Sequence, residues 1–374
     1  MCATPRHVTT TTVVRAFSGT ASRIRAVPEL VVVAEQLLAP VPGGTGRYTA
    51  ELLRALAVTA PPGWAVSSVV ARHADVEKAQ VDGVEGPRVL PFPARALIAA
   101  WQLGVPFWPG GDAVHAPTPL APPRPGRRTL SITVHDTVPW THPGTLTPRG
   151  VSWHRAMIGR AARRATGLVV PTQAVADELR RRVDVSVPVQ VAGHGVTEMF
   201  TDTERVSIDL PERYVLAVGT IEPRKGVDIL VRAMRELDVP LVLAGQRGWG
   251  QVDTGNALVL GRLPDRELAA VLRGAAVLAA PSLAEGFGLP VLEAMAAGVP
   301  VVHSDAPALV EVAGGAGLCV PRGDVKALGT ALRTVLSSPG KTAELRKSGL
   351  ARASEFSWTT AATAVWTIHD PMSL

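Results

Sequence analysis

Glu285 and Glu293 bracket the run Gly-Phe-Gly-Leu-Pro-Val-Leu, placing two carboxylates eight positions apart on a glycine-rich turn and the helix it opens. Pro290 suits a first helical position and Gly298 stands just past a last one, so the spacing predicts a short helix over 290–297 with Glu293 in its opening turn. A helix N-terminus binds phosphate, and a carboxylate accepts two hydrogen bonds from a sugar diol. A nucleotide-diphosphate sugar has both parts. The preference for acids near a helix start also accounts for Glu293. It does not account for Glu285 or for the approach through Gly286, Phe287, Gly288 and Leu289. Paired carboxylates also hydrolyse glycosides, but there they flank one bond. Here one acid is expected at the ribose end and the other at the sugar.

Other residues of chemical type fall at similar places. Arg224 and Lys225 follow an apolar run and Gly219-Thr220, just before the helix expected from Gly226. Cations are unfavourable at a helix start. A buried anion such as a diphosphate leaving group would resolve that, and so would two solvated side chains. His135 and Asp136 come directly after Ser131–Val134, at the crevice end of a buried strand, where a histidine contacts a sugar hydroxyl or is simply satisfied by backbone. Gly43-Gly44-Thr45-Gly46-Arg47-Tyr48 follows the first strand; its glycines let backbone approach a phosphate, or make a plain turn into a helix. Thr49 stands where the dinucleotide fingerprint needs its last glycine. No Asp-x-Asp, His-x-x-His or Cys-x-x-Cys occurs, so no built-in metal site is expected.

These residues need strand ends and helix starts to hold them. Short continuous Val/Ile/Leu runs alternate with helical patterns from Glu29 onward, in two blocks. Strands are expected at Leu30–Ala34, Ala65–Ala71, Ala113–Ala116, Thr129–Val134, Gly167–Val170 and Val187–Val191, then at Tyr214–Val218, Pro240–Ala244, Ala257–Leu260, Ala276–Ala280, Val299–His303 and Gly317–Val320. Continuous rather than alternating apolar strands indicate parallel sheets covered on both faces. The fold class is therefore α/β, two doubly wound Rossmann-like domains around a cleft. The boundary is expected between Gly195 and Pro211. The 374 residues suffice for two such cores.

The formal net charge of +6 fits an anionic substrate or membrane surface, or simply surplus surface arginine; no basic run is interleaved with aromatics as nucleic acid would require. No apolar run is long enough to span a bilayer. Residues 1–26 are rich in Thr and Arg, lack a signal-type apolar region and read as a disordered tail. The two cysteines imply no disulfide framework, so a reducing cytosol is expected. Leu97 to Trp108 reads as a core helix with an aromatic edge, or alternatively as an amphipathic element for lipid or acceptor.

In order and spacing, the Gly-Gly-x-Gly-Arg-Tyr at 43–48, the Val-His-Asp at 134–136, the Gly-x-x-x-Pro-Arg-Lys-Gly at 219–226 and the Glu285/Glu293 segment resemble the retaining glycosyltransferases of family 4, the group 1 enzymes with the GT-B fold. The late segments 317–324 and Phe356-Ser-Trp358 extend the resemblance to about residue 370. It implies an acceptor-binding domain over 27–200, completed by a C-terminal helix at about 357–374, and a domain over 208–356 that binds a nucleotide-sugar donor. It further implies that Glu285, His135 and Lys225 serve catalysis: Glu285 against the donor sugar, His135 near the reacting carbon, Lys225 with Arg224 on the leaving diphosphate. Glu293 would bind the ribose, backbone of Gly286, Phe287, Gly288 and Leu289 the sugar and phosphate, and Gly43 and Gly44 would close on the diphosphate. Thr220 departs from the pattern, since many members carry Arg there; Arg224 would supply that charge. Transfer would retain anomeric configuration and need no metal or other cofactor. The expected partners are the nucleotide sugar, a glycan or lipid-linked acceptor and the inner membrane face, with no nucleic acid. A mannosyl group from GDP-mannose is favoured over a UDP-sugar such as UDP-glucose. A sugar-nucleotide epimerase and a non-catalytic nucleotide-binding protein are the alternatives from other classes.

Overall fold

The computed structural model describes residues 27–201, 208–248 and 250–370. The expected tail over 1–26, part of the expected boundary (202–207) and the end of the closing helix (371–374) lie outside the described residues.

Among the described residues the first half builds a seven-stranded parallel sheet from β1 (Glu29–Val33), β2 (Ala65–Arg72), β3 (Glu85–Pro93), β4 (Ala113–Ala116), β5 (Thr129–Thr133), β6 (Gly167–Val170) and β7 (Val189–Val191), in the order β3-β2-β1-β4-β5-β6-β7. The chain winds outward one way from β1, then returns to wind the other way from β4, so the switch point lies between those two strands. Helices α1 (Gly43–Val58), α2 (Ala94–Leu103), α3 (Val138–Thr141), α4 (Pro148–Arg164) and α5 (Gln173–Arg182) connect the strands. The second half repeats the plan with β8 (Val215–Val218), β9 (Leu241–Ala244), β10 (Leu258–Gly261), β11 (Val277–Ala280), β12 (Val301–Ser304) and β13 (Leu318–Val320), ordered β10-β9-β8-β11-β12-β13. Its helices are α6 (Val227–Met234), α7 (Asp265–Gly274), α8 (Leu289–Ala296), α9 (Pro307–Ala313), α10 (Val325–Ser337) and α11 (Pro339–Ala353), after which α12 (Trp358–His369) crosses back onto the first sheet.

The continuous apolar strands are buried on both faces, as their composition requires: β4 and β6 are buried at every position. One face of the first sheet holds Leu97, Trp101, Ile158 and Leu179; the other holds Leu52, Leu56 and Trp366. Trp101 and Leu97 are thus core residues, and the Trp101 indole donates to the Phe107 carbonyl at 3.0 Å. The lipid-surface alternative for this stretch gives way to the core helix. Side-chain oxygens cap several helix starts: Thr147 for α4, Thr172 for α5 and Ser357 for α12.

A buried polar network fastens α12 to the first sheet. Ser131 Oγ lies 2.7 Å from His115 Nδ1 and 2.6 Å from His369 Nε2, and Thr129 Oγ1 lies 2.8 Å from His369 Nδ1. Burial pushes His369 down to about 3 and His115 well below its ordinary value, so both rings are neutral in the folded state. Unfolding restores values near 6.5, so below that pH the unfolded chain binds more protons and stability falls as pH drops toward the folded values. We expect the melting temperature to decline between about pH 6.5 and 5, before ordinary carboxylates titrate, and to decline less in His369→Gln. A melting temperature flat across that window would contradict the assignment.

Candidate active site

The two halves face each other across a cleft of about 1020 Å³ lined from both sheets. Its walls are carboxyl ends of strands. Gly219, Thr220, Arg224 and Lys225 follow β8, and Glu285 follows β11, so they flank the switch point of the second sheet. From the first half, Gly43, Gly44 and Arg47 come from the start of α1, and His135 and Asp136 follow β5. Every site residue expected from the sequence lines this one cleft.

The cation pair is not solvated. Arg224 and Lys225 occupy a 3-10 turn, Pro223–Lys225, ahead of α6. Lys225 Nζ donates to Glu285 Oε1 at 2.6 Å, and Arg224 donates to Glu222 at 2.6 Å and lies 3.7 Å from Glu285 Oε2. The protein therefore supplies an anion of its own against these two cations. Ser282 Oγ adds a second donor to Glu285 Oε1 at 2.7 Å. Burial acts to raise the Glu285 pKa, but Lys225 and Arg224 outweigh it and hold the carboxyl below its ordinary value. Glu285 is therefore ionised at neutral pH and suits accepting hydrogen bonds or stabilising positive charge, not donating a proton.

Glu293 is 1% exposed. It is the fifth residue of α8, because that helix begins at Leu289 rather than Pro290; it does not sit in the opening turn, and the helix-start preference for acids does not explain it. Arg47 reaches across from α1, donating to Glu293 Oε1 at 2.5 Å and to Asp265 at 2.6 Å. Glu293 Oε2 and Arg47 Nε are both buried without a hydrogen-bond partner among the described residues. Burial holds the Glu293 carboxyl above its ordinary value, and the Arg47 charge pulls it back only in part.

His135 is fixed by its own backbone environment. Nε2 donates to the Pro117 carbonyl at 2.8 Å, and the Tyr48 ring meets the imidazole edge-on at 4.7 Å. Burial lowers its pKa against the pull of Pro117 and Asp136, so the ring is neutral and Nδ1 is left as an acceptor. The halves also touch at Gly286: a side chain there would run into the His135 carbonyl, and the Gly286 carbonyl accepts from Thr172 Oγ1 at 3.0 Å. Gly288 caps α8 with φ 94°, a conformation that favours glycine. The Phe287 ring turns away from the cleft into the core and stacks on His194 at 4.3 Å, so only its backbone is available to a ligand. Gly43 and Gly44 form the first turn of α1 rather than a loose loop, and a methyl on Gly44 would touch Leu289 across the cleft at 3.8 Å.

Arg47, Asp265, Ser282 and Glu222 also pair within the site, and none of them was expected there from the sequence. Arg47 carries a visible signal, since it sits in the glycine-rich start of a helix at a strand's crevice end.

The profile of the family described as "Glycosyltransferase Family 4" matches residues 42–198, and that of "Glycosyl transferases group 1" matches residues 212–338. The chain belongs to the group 1, family 4 glycosyltransferases. It is 38% identical over 161 residues to the O-antigen chain mannosyltransferase B of Escherichia coli, covering 39% of this chain and 42% of that protein. It is 27% identical over 321 residues to the phosphatidyl-myo-inositol mannosyltransferase of Mycobacterium leprae, covering 80% of this chain and 77% of that one. The chain thus spans less than half of the first relative and over three quarters of the second. Among solved structures, the sucrose-phosphate synthase of Thermosynechococcus elongatus superposes with a TM-score of 0.69 at 20% identity, over 92% of this chain and 99% of that one. The fold is GT-B.

Proposed function

We propose that the protein transfers a hexose, mannose in the first instance, from a nucleotide-diphosphate sugar to a glycan or lipid-linked glycan. The observation that carries this reading is the pair of buried, unpartnered polar atoms, Glu293 Oε2 and Arg47 Nε, in a cleft that also holds a cation pair. A buried polar atom without a partner is costly unless a ligand completes it. A ribose diol supplies hydroxyls for Glu293, and a diphosphate supplies the oxygens that Lys225 and Arg224 bind. Glu285 then stands against the donor sugar, with backbone from Gly286 to Leu289 and the Gly43, Gly44 and Thr220 edges around the diphosphate. His135 Nδ1 accepts from a sugar hydroxyl. The acceptor oxygen bonds to the anomeric carbon as that carbon's bond to the diphosphate breaks, and the hydroxyl proton leaves with the diphosphate on the same face. Configuration is thereby retained, and Lys225 and Arg224 stabilise the charge that develops on the leaving group.

The mannosyl assignment draws support from the names of both relatives above. We place the reaction in the cytosol, at a membrane face when the acceptor is lipid-linked; the net charge of +6 favours an anionic surface. No helix among the described residues is long and apolar enough to cross a membrane. The test is a thermal-shift panel of GDP-mannose, UDP-glucose and ADP-glucose. A ligand at one hundred times its Kd adds about 2.7 kcal/mol to stability. We expect a selective rise with GDP-mannose. A rise only with UDP-glucose moves the donor to that base, and no rise with any of the three overturns the reading.

A further inference from the structure

A second cavity, of about 480 Å³, opens in the first half beside the cleft, within the range of about 300–1,000 Å³ usual for small-molecule sites. The two spaces share Gln36, Thr45, His135 and Asp136, so whatever fills the cavity reaches the cleft at the imidazole of His135. The cavity sits at the carboxyl ends of β1 and β4, the switch point of the first sheet, with Glu35 just past one strand and Thr118 just past the other.

Its lining is two-sided. Trp153 on α4, with Ile98 and Leu120, makes an apolar wall. Glu35, His73 and Asp136 make a polar one. Glu35 is held firmly: Oε1 accepts from His73 Nε2 at 2.7 Å and Oε2 from the Ala71 backbone at 2.9 Å. Each oxygen keeps a lone pair for a further donor. Asp136 spends Oδ1 on the Val138 backbone at 3.0 Å. Among the described residues no lysine or arginine lines the cavity. Arg224, whose pKa Asp136 helps to raise, lines the cleft instead and is paired with Glu222.

From this lining we propose that the cavity is an acceptor subsite for an uncharged saccharide unit, held with its apolar face on Trp153 and its hydroxyls on Glu35 and Asp136, and that it rejects acceptors bearing phosphate at the reacting unit. The inference rests on the transferase reading above and adds the acceptor's chemical class. Fixed carboxylates accept from hydroxyls but repel a phosphate, and a buried anion with no cation to pair is strongly disfavoured. A neutral glycan on a lipid carrier remains compatible, because the carrier lies beyond the unit in the cavity.

The test uses the whole protein with the nucleotide sugar selected by the thermal-shift panel, and two acceptor probes, methyl α-D-mannopyranoside and D-myo-inositol 1-phosphate. Product is followed by mass spectrometry over an acceptor series. We expect the mannoside to gain one hexose and the inositol phosphate to gain none. Trp153→Ala should raise the acceptor KM at least tenfold while the nucleotide's thermal shift is retained, and Trp153→Phe, which keeps an aromatic face, should restore most of the affinity. Transfer to inositol phosphate in preference to the mannoside, transfer to neither probe by a protein that the donor stabilises, or an unchanged KM in Trp153→Ala overturns the proposal. A protein that no nucleotide sugar stabilises overturns the transferase reading itself, so the two failures are distinct.

Discussion

Glu285→Gln is expected to lower kcat by about a hundred- to a thousandfold, the usual cost of removing one preorganised charged or polar group aimed at a transition state. The substitution keeps size and shape. The glutamine amide oxygen still accepts from Lys225 and Ser282, which now hold the carboxylate at 2.6 and 2.7 Å. What changes is charge. The structure keeps Glu285 ionised through Lys225 and Arg224, so its negative charge is present when positive charge develops on the departing sugar. An amide cannot supply it.

Donor affinity should move the other way. In the free protein Lys225 is committed to Glu285, and a diphosphate must compete with that carboxylate. Neutralising Glu285 removes the negative charge that competes for Lys225, so the variant should bind nucleoside diphosphate at least as tightly as wild type while turning over far more slowly. This split separates a role in the reaction from damage to the fold, because a misfolded site loses binding as well. Steady-state turnover with calorimetric titration of the nucleotide makes the measurement. Wild-type kcat in Glu285→Gln, or a loss of nucleotide binding that matches the loss of kcat, would sink the role given to this carboxylate.

The sheets were readable because their strands are short, continuously apolar and buried, a pattern that few other elements produce. Ala113–Ala116 and Gly167–Val170 are found as expected to the residue. β3 was invisible for the opposite reason: it is an edge strand, largely exposed, with prolines at 87, 91 and 93 that read as loop. α9 is only seven residues long and carries too little periodicity to stand out. In the site, single residues were legible because chemistry collects at carboxyl ends of strands. Their pairings were not. Lys225 and Glu285 are 60 residues apart, and Arg47 and Glu293 are 246 apart. No local pattern encodes such a contact; the first follows from β8 and β11 lying side by side in one sheet, the second from how the two sheets face each other. The same facing arrangement shows that Gly286 serves contact between the halves as well as access for a ligand.

Arg47→Met is expected to weaken nucleotide binding about tenfold, near 1.4 kcal/mol, and to make it depend on pH. Arg47 bonds both Glu293 and Asp265, and its guanidinium also lies over the Phe200 ring at 5.2 Å. Methionine fills much of the volume but removes the charge, leaving Glu293 buried with neither oxygen paired. Burial already raises the Glu293 pKa, and Arg47 is what opposes it. Without that opposition the pKa climbs further, and a larger share of the protein carries a protonated Glu293 at a given pH. The protonated form has lost acceptor capacity, so it is the poorer partner for a ribose diol. Affinity in the variant should therefore rise with pH as the carboxylate is restored, and fall as pH drops, while wild-type affinity changes little. Arg47→Lys should not rescue, because an ammonium cannot reproduce the planar fork that reaches two carboxylates at once. Nucleotide titrations at pH 6 and pH 8 decide the matter. A variant that binds as wild type does at both values would show that Arg47 merely joins the two halves and has no part in preparing Glu293 for the donor.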